Sequence, residues 1–245
     1  MKLLEITNLT KTFGGLTAND NISFAVDSAE ILGLIGPNGA GKTTLFNCIS
    51  GHLPITSGRI VFDGADITAL SSYATARRGM ARTFQVYAAA GDLTVLENVM
   101  VGCFMHTRRR SQAERRARRI VAQFNLTPMA DSQVRQLPVA AQKRVTMATA
   151  IGTRPKLLLL DEVAAGLNPS EINEITDFIN HIHHQMGISV ILIEHVMALV
   201  MNISRRVVVL NYGQKIAEGR PDEIIKNPNV IQAYLGRRYA AAQEG

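Results

Sequence analysis

The chain has 245 residues, enough for one large domain or a core with a subdomain, and 47% of them are hydrophobic, which supports a sizeable buried core. No apolar run approaches the roughly 18 residues of a membrane-spanning helix, and two cysteines, Cys48 and Cys103, give neither a disulfide framework nor a metal-ligand spacing. The net charge of +6 resides in one stretch: residues 108–119 hold seven arginines and one glutamate, and the remainder balances, so the chain as a whole is not a basic nucleic-acid binder.

The N-terminus, Met1-Lys2-Leu3-Leu4-Glu5, carries no signal-peptide pattern, and both cysteines read as small apolar core residues of a reducing compartment. Residues 4–9 and 22–26 alternate apolar and polar side chains, the pattern of half-exposed strands. Ile31-Leu32-Gly33-Leu34-Ile35 is a continuous apolar run, predicting a buried strand. It leads into Gly36-Pro37-Asn38-Gly39-Ala40-Gly41-Lys42-Thr43-Thr44 and then into an expected helix at 45–49. This is a complete phosphate-binding loop in its strand–loop–helix frame. Glycines let successive N–H groups point at phosphate oxygens, and the helix N-terminus adds its positive dipole end. Lys42 is expected at the outer phosphates, and the Thr43 hydroxyl as a ligand of a magnesium ion.

Arg59–Gly64 reads as a further strand ending in an Asp-Gly turn. Gln85, after Arg82-Thr83-Phe84, is a weak candidate for magnesium through its amide oxygen. Val99–Met105 is apolar enough for a docking groove or for core. Within Glu114–Phe124, helical spacing puts Ile120, Val121 and Phe124 on one face. The arginines beside them read either as a solvated helix face or as a surface for anionic headgroups or an acidic partner.

From residue 156 onward strand and helix alternate. The runs at 157–160, 190–193 and 207–210 fit strands buried on both faces, hence an α/β fold with a mostly parallel sheet covered by helices. The first run ends in Asp161-Glu162. A buried strand thereby delivers carboxylates to the sheet edge where ligands bind, Asp161 toward magnesium and Glu162 toward an attacking water. The second ends in Glu194-His195, and a histidine at the same edge is suited to contact the terminal phosphate and link it to Glu162. Ala240–Gly245 read as a frayed tail.

The order of phosphate loop, Gln85, Asp161-Glu162 and His195 resembles the ATP-binding subunit of ATP-binding cassette (ABC) transporters over essentially the whole chain. Lys11-Thr12-Phe13-Gly14-Gly15 is similar to the family's start, which makes Phe13 the aromatic that stacks on adenine. Gly79–Gln85 is similar to its glutamine loop, and Ala165-Gly166-Leu167-Asn168-Pro169 to its D-loop. Phe13-Gly14-Gly15-Leu16, Arg82–Gln85, Leu93–Val99 and Ala233-Tyr234-Leu235-Gly236 are similar to the branched-chain or hydrophobic amino acid uptake branch. The lipopolysaccharide-export ATPase shares these features.

The resemblance implies a single ABC ATPase domain over 1–245: a RecA-like core plus antiparallel β subdomain at about 1–86 and 156–236, an inserted helical subdomain at about 87–155, and a tail at 237–245. It implies an ATPase using ATP and Mg2+, with Asn38, Gly39, Ala40, Gly41, Lys42, Thr43, Thr44, Phe13 and Gln85 at the nucleotide. Thr43, Gln85 and Asp161 would hold the metal, and Glu162 and His195 would be catalytic. Two such subunits would sandwich two ATPs under a pair of transmembrane permease subunits, at the cytoplasmic face of the inner membrane, with a substrate-binding protein if the system imports and no nucleic-acid partner. The alternatives are an ABC ATPase of another transporter, of the lipopolysaccharide-export kind, or a low-turnover regulatory subunit of a heterodimer; ABC ATPases acting on DNA or ribosomes form a second class, disfavoured by the single cassette.

One departure is plain. Where the family carries Leu-Ser-Gly-Gly-Gln, this chain has Leu137-Pro138-Val139-Ala140-Ala141. Pro138 lacks hydroxyl and N–H, and Ala140 adds a methyl where backbone should approach phosphate. Val163-Ala164 replaces the usual Pro-Thr, and Thr149 stands where arginine is usual. This leads us to expect a heterodimer with a paralogous ATPase.

Overall fold

The computed structural model describes residues 1–83 and 90–235, so Gln85 lies outside the described residues. Strands β1 (Lys2–Phe13) and β2 (Leu16–Asp27) form a long antiparallel hairpin. Gly14 closes it at φ +56, a left-handed conformation that glycine adopts without a Cβ penalty. The expected alternation is present: Leu4, Ile6 and Leu9 face Ile22, Phe24 and Val26 on the buried side. Strands β4 (Ser57–Phe62) and β5 (Ala65–Asp66) extend this sheet in the order β2-β1-β4-β5, all antiparallel.

The second sheet has six strands in the order β10-β9-β3-β8-β7-β6. Strands β3 (Ile31–Ile35), β6 (Met80–Arg82), β7 (Leu157–Asp161), β8 (Ser189–Ile193) and β9 (Arg206–Asn211) run parallel, and β10 (Gln214–Gly219) returns antiparallel. Every residue of β3, β7 and β8 is buried, which is why these segments read as continuous apolar runs. Successive residues serve opposite layers. Leu158, Leu160, Val190 and Leu192 join one apolar cluster, with the helices; Leu157, Leu159, Ile191 and Ile193 join the other, with the antiparallel sheet.

The helices are α1 (Lys42–Ile49), α2 (Ser72–Arg77), α3 (Val95–Cys103), α4 (Arg110–Gln123), α5 (Val139–Gly152), α6 (Pro169–Met186), α7 (Met197–Ile203), α8 (Pro221–Ile224) and α9 (Pro228–Leu235). Helix α3 starts on a reciprocal cap, Thr94 accepting from the Glu97 N–H while Glu97 takes the Thr94 N–H. It packs on α4 and α5, with Gly102 so close to α5 that a Cβ would stand 2.1 Å from the Thr149 carbonyl oxygen. Ile120, Val121 and Phe124 are buried on the inner side of α4, as their spacing implies, together with Ala113 and Ala117. Val99–Met105 divides: Val99, Met100 and Cys103 are core, while Val101 and Phe104 are exposed. Among the described residues no helix is long and apolar enough to cross a membrane.

Candidate functional site: a phosphate loop and a sheet edge

The loop between β3 and α1 is held by its carbonyls. The Lys42 ammonium donates to the carbonyls of Gly36 at 2.7 Å and Pro37 at 3.0 Å. The Gly213 N–H donates to Ala40, and the Asn19 amide to Gly41 at 3.1 Å. With acceptors turned onto internal partners, the N–H groups at the start of α1 are left for an anion. Gly41 caps α1 at φ +97, and a Cβ there would meet the Ala18 oxygen at 2.4 Å. Gly36 is equally constrained, since a Cβ would come within 2.2 Å of the Leu210 oxygen. Burial pushes the Lys42 ammonium down from its usual value, opposed by the carboxylates of Glu162 and Asp161.

A cleft of about 840 Å³ opens on this loop. Asn38 through Thr44 line it, joined by Phe13, Glu162 and His195. Residues far apart in sequence are therefore brought together by three parallel strands ending at one edge. Phe13, at the end of β1, is 45% exposed and lies under the Lys11 ammonium, 4.8 Å from the ring centroid. Its free face is available to a planar group.

The His195 Nε2 and Glu162 Oε1 are 2.9 Å apart. Glu162 sits at φ +50 in the turn after β7, its N–H donating to the Ile193 carbonyl at 2.9 Å. Its own carbonyl accepts from the Lys143 ammonium at 2.8 Å, so α5 fixes the turn that carries the carboxylate. Glu194 lies beneath, 2% exposed, accepting the N–H of Ala164 at 2.7 Å and of His195 at 3.3 Å. Burial raises the Glu194 pKa, and those two N–H groups work against the rise.

Asp161 lies below the cleft and is not among its lining residues. One oxygen is paired with the Arg82 guanidinium at 2.9 Å, and both side chains are almost fully buried. The other, Oδ1, is buried with no hydrogen-bond partner. Arg82 also reaches Asn47 of α1 at 2.6 Å, tying β6, β7 and the phosphate-loop helix together. Burial raises the Asp161 pKa, and Arg82 opposes it.

Residues 138–141 stand apart from this cleft and contribute nothing to its lining. Pro138 is the N-cap of α5, with no side-chain cap. Val139 is 38% exposed, whereas Ala140 and Ala141 are buried. Of the two side chains added to the altered signature, Val139 is the one presented outward.

Arg82, Lys143, Glu194 and Asn19 were given no role by sequence reasoning. Glu194 had a signal, a carboxylate beside His195 at a strand end. Arg82, Lys143 and Asn19 are ordinary polar residues until the strands are paired.

A phosphate loop joined at one sheet edge to an acidic strand end and a histidine defines a nucleotide-binding ATPase site of the ABC type. A family model described as "ABC transporter" matches residues 19–165, and one described as "Branched-chain amino acid ATP-binding cassette transporter" matches residues 214–240. The chain is 39% identical to the high-affinity branched-chain amino acid transport ATP-binding proteins BraF of Pseudomonas aeruginosa and LivG of Escherichia coli, covering 96% of this chain and 98% of each relative. It is 34% identical to the lipopolysaccharide export ATP-binding protein LptB of Escherichia coli, over 98% of this chain and 99% of that one. A nucleotide-free ATP-binding cassette from an ABC transporter superposes with a TM-score of 0.88 at 30% identity, covering 96% of this chain and 100% of that one. The chain belongs to the ABC transporter ATP-binding family, with the α/β fold and ATPase domain of that family.

Proposed function

We propose that this chain is the ATP-hydrolysing subunit of an importer of branched-chain or other hydrophobic amino acids, seated peripherally on permease subunits at the cytoplasmic membrane face. The observation that carries the substrate class is full-length similarity to BraF and LivG, together with the branch-specific match at residues 214–240. LptB resembles the chain less closely.

The adenine stacks on Phe13, and the phosphates lie on the N–H groups of residues 38–44. Lys42 exchanges the carbonyls of Gly36 and Pro37 for phosphate oxygens, keeping its charge inside the loop. Glu162 orients the attacking water, and His195, hydrogen-bonded to Glu162, reaches the terminal phosphate. Lys143 and Glu194 position these two residues without touching substrate. The unpartnered Asp161 Oδ1 and the Thr43 hydroxyl are hard oxygen donors that fit a magnesium ion, with Gln85 as the third residue. When bound, that ion would spread the charge developing on the phosphates.

The Pro138–Ala141 helix start is poorly suited to a second phosphate, so the partner subunit is a paralogous ATPase whose own signature completes the site on this chain's loop. The test is uptake of radiolabelled leucine by proteoliposomes holding the purified complex, with its binding protein and internal ATP. ATP-dependent uptake that is lost on Glu162→Gln is expected. A complex that hydrolyses ATP but moves no branched-chain or hydrophobic amino acid would remove the substrate assignment and leave the ATPase assignment standing.

A further inference from the structure

The arginines of α4 do not merely coat a solvated surface. Arg115, Arg116 and Arg119 line a second cleft of about 750 Å³, and Arg154, beyond the end of α5, lines it from another element. None of its lining residues belongs to the nucleotide cleft. Between the arginines the lining includes the buried side chains of Ile120, Ile151 and Ile188.

Four arginines line this one cleft, Arg115, Arg119 and Arg154 exposed and Arg116 half-buried. Among the described residues, none of the four has an ion pair or a side-chain hydrogen bond, and the Nε of Arg116 is buried with no partner. The nearest acid in sequence, Glu114, is engaged by Arg118 at 2.8 Å. Arg115 and Arg119 stand one helical turn apart, where like charges repel and weaken a helix. At the neighbouring end of α6, the carbonyls of Ile182 and His183 accept from the N–H groups of Ile188 and Gly187 rather than from an arginine.

We propose that this cleft is a binding site for a phosphate-bearing anion, outside the ATP site. Planar guanidinium forks match phosphate oxygens in pairs, and the apolar residues between them offer contact to the organic part of the ligand. That chemistry is shared by an anionic phospholipid headgroup and a soluble phosphorylated compound.

The experiment uses the full chain with the ATP site filled by a non-hydrolysable ATP analogue and magnesium. One arm measures binding to phosphatidylglycerol–phosphatidylcholine vesicles against pure phosphatidylcholine; the other measures binding of inorganic tripolyphosphate by calorimetry. Both are run at low salt, about 50 mM, where screening is weak. Binding in either arm that falls at least about tenfold in Arg115→Gln/Arg116→Gln/Arg119→Gln supports the site, and the arm that responds names the source. Arg154→Asn is the independent variant from outside α4: Arg154 sits at φ +53, a conformation asparagine tolerates, and it should weaken the same binding severalfold. Failure of the wild-type chain to bind in both arms, or binding that is unchanged in both variants, would overturn the proposal.

Discussion

The phosphate loop and the start of α5 are both helix N-termini, yet they are built in opposite ways. At α1 the carbonyls are occupied, glycines stand where a Cβ would collide with neighbouring backbone, and a buried lysine waits among its own loop oxygens. At α5 the cap is a proline without N–H, no side chain replaces it, and an exposed valine covers the first turn. One end is shaped to receive phosphate and the other is not. On the proposed reading, a chain carrying both donates one working half-site and receives little in return.

Breaking the competent end should give the largest effect. Glu162→Gln in the assembled complex should leave ATP binding within a few-fold of the parent while lowering phosphate release by roughly 10²- to 10⁴-fold. Retention of more than half the parental turnover would remove Glu162 from its role. Next is the buried pair beneath the loop. Arg82→Met strands Asp161, whose side chain is 1% exposed, and should cost about 3–5 kcal/mol of stability in urea unfolding. A loss under about 1 kcal/mol would mean that Asp161 simply takes up a proton there, which its burial already favours.

Repairing the other end should give a gain. Pro138→Ser with Val139→Gly in the isolated chain should raise ATP turnover about tenfold, the scale of one regained hydrogen bond to a charged group. Adding Ala140→Gly should change little further, because that methyl is already buried. No gain from any of these would dissociate turnover from the signature. The smallest effect is the difference that nucleotide makes between a thiol in the phosphate-loop helix and one in α3. Cys48, in α1, and Cys103, in α3, are both buried, and burial pushes each thiol up to about 11. Both should label with iodoacetamide at pH 8 on the order of 100-fold more slowly than a free thiol, and nucleotide should slow Cys48 more than Cys103. Rapid labelling of Cys48 in the folded chain would argue against a locked phosphate-loop helix.

The phosphate loop, the Asp161-Glu162 strand end and His195 were legible because each motif ends a continuous apolar run, and such runs become parallel strands that finish at one edge. The hairpin of β1 and β2 was legible from alternation alone. What sequence could not supply were contacts made across layers: Arg82 on Asp161, Lys143 on the Glu162 carbonyl, and the glycine contact between α3 and α5. These pair ordinary residues separated by tens of positions, with no spacing to betray them. The altered signature was visible as residue types, but not that Val139 rather than Ala140 is the outward side chain. The arginine stripe admits two readings from sequence, because charge counts do not reveal a cleft.

The central claim is that this chain contributes one competent ATP site and needs another chain's signature to complete it. The most direct measurement is native mass spectrometry of the transporter purified from its own membranes, with ATPase activity assayed on the same sample. The account predicts one copy of this chain beside one copy of a paralogous ATPase with an intact signature. Two copies of this chain hydrolysing ATP at an ordinary transporter rate would contradict it and show that Pro138 and Val139 are tolerated at a working site.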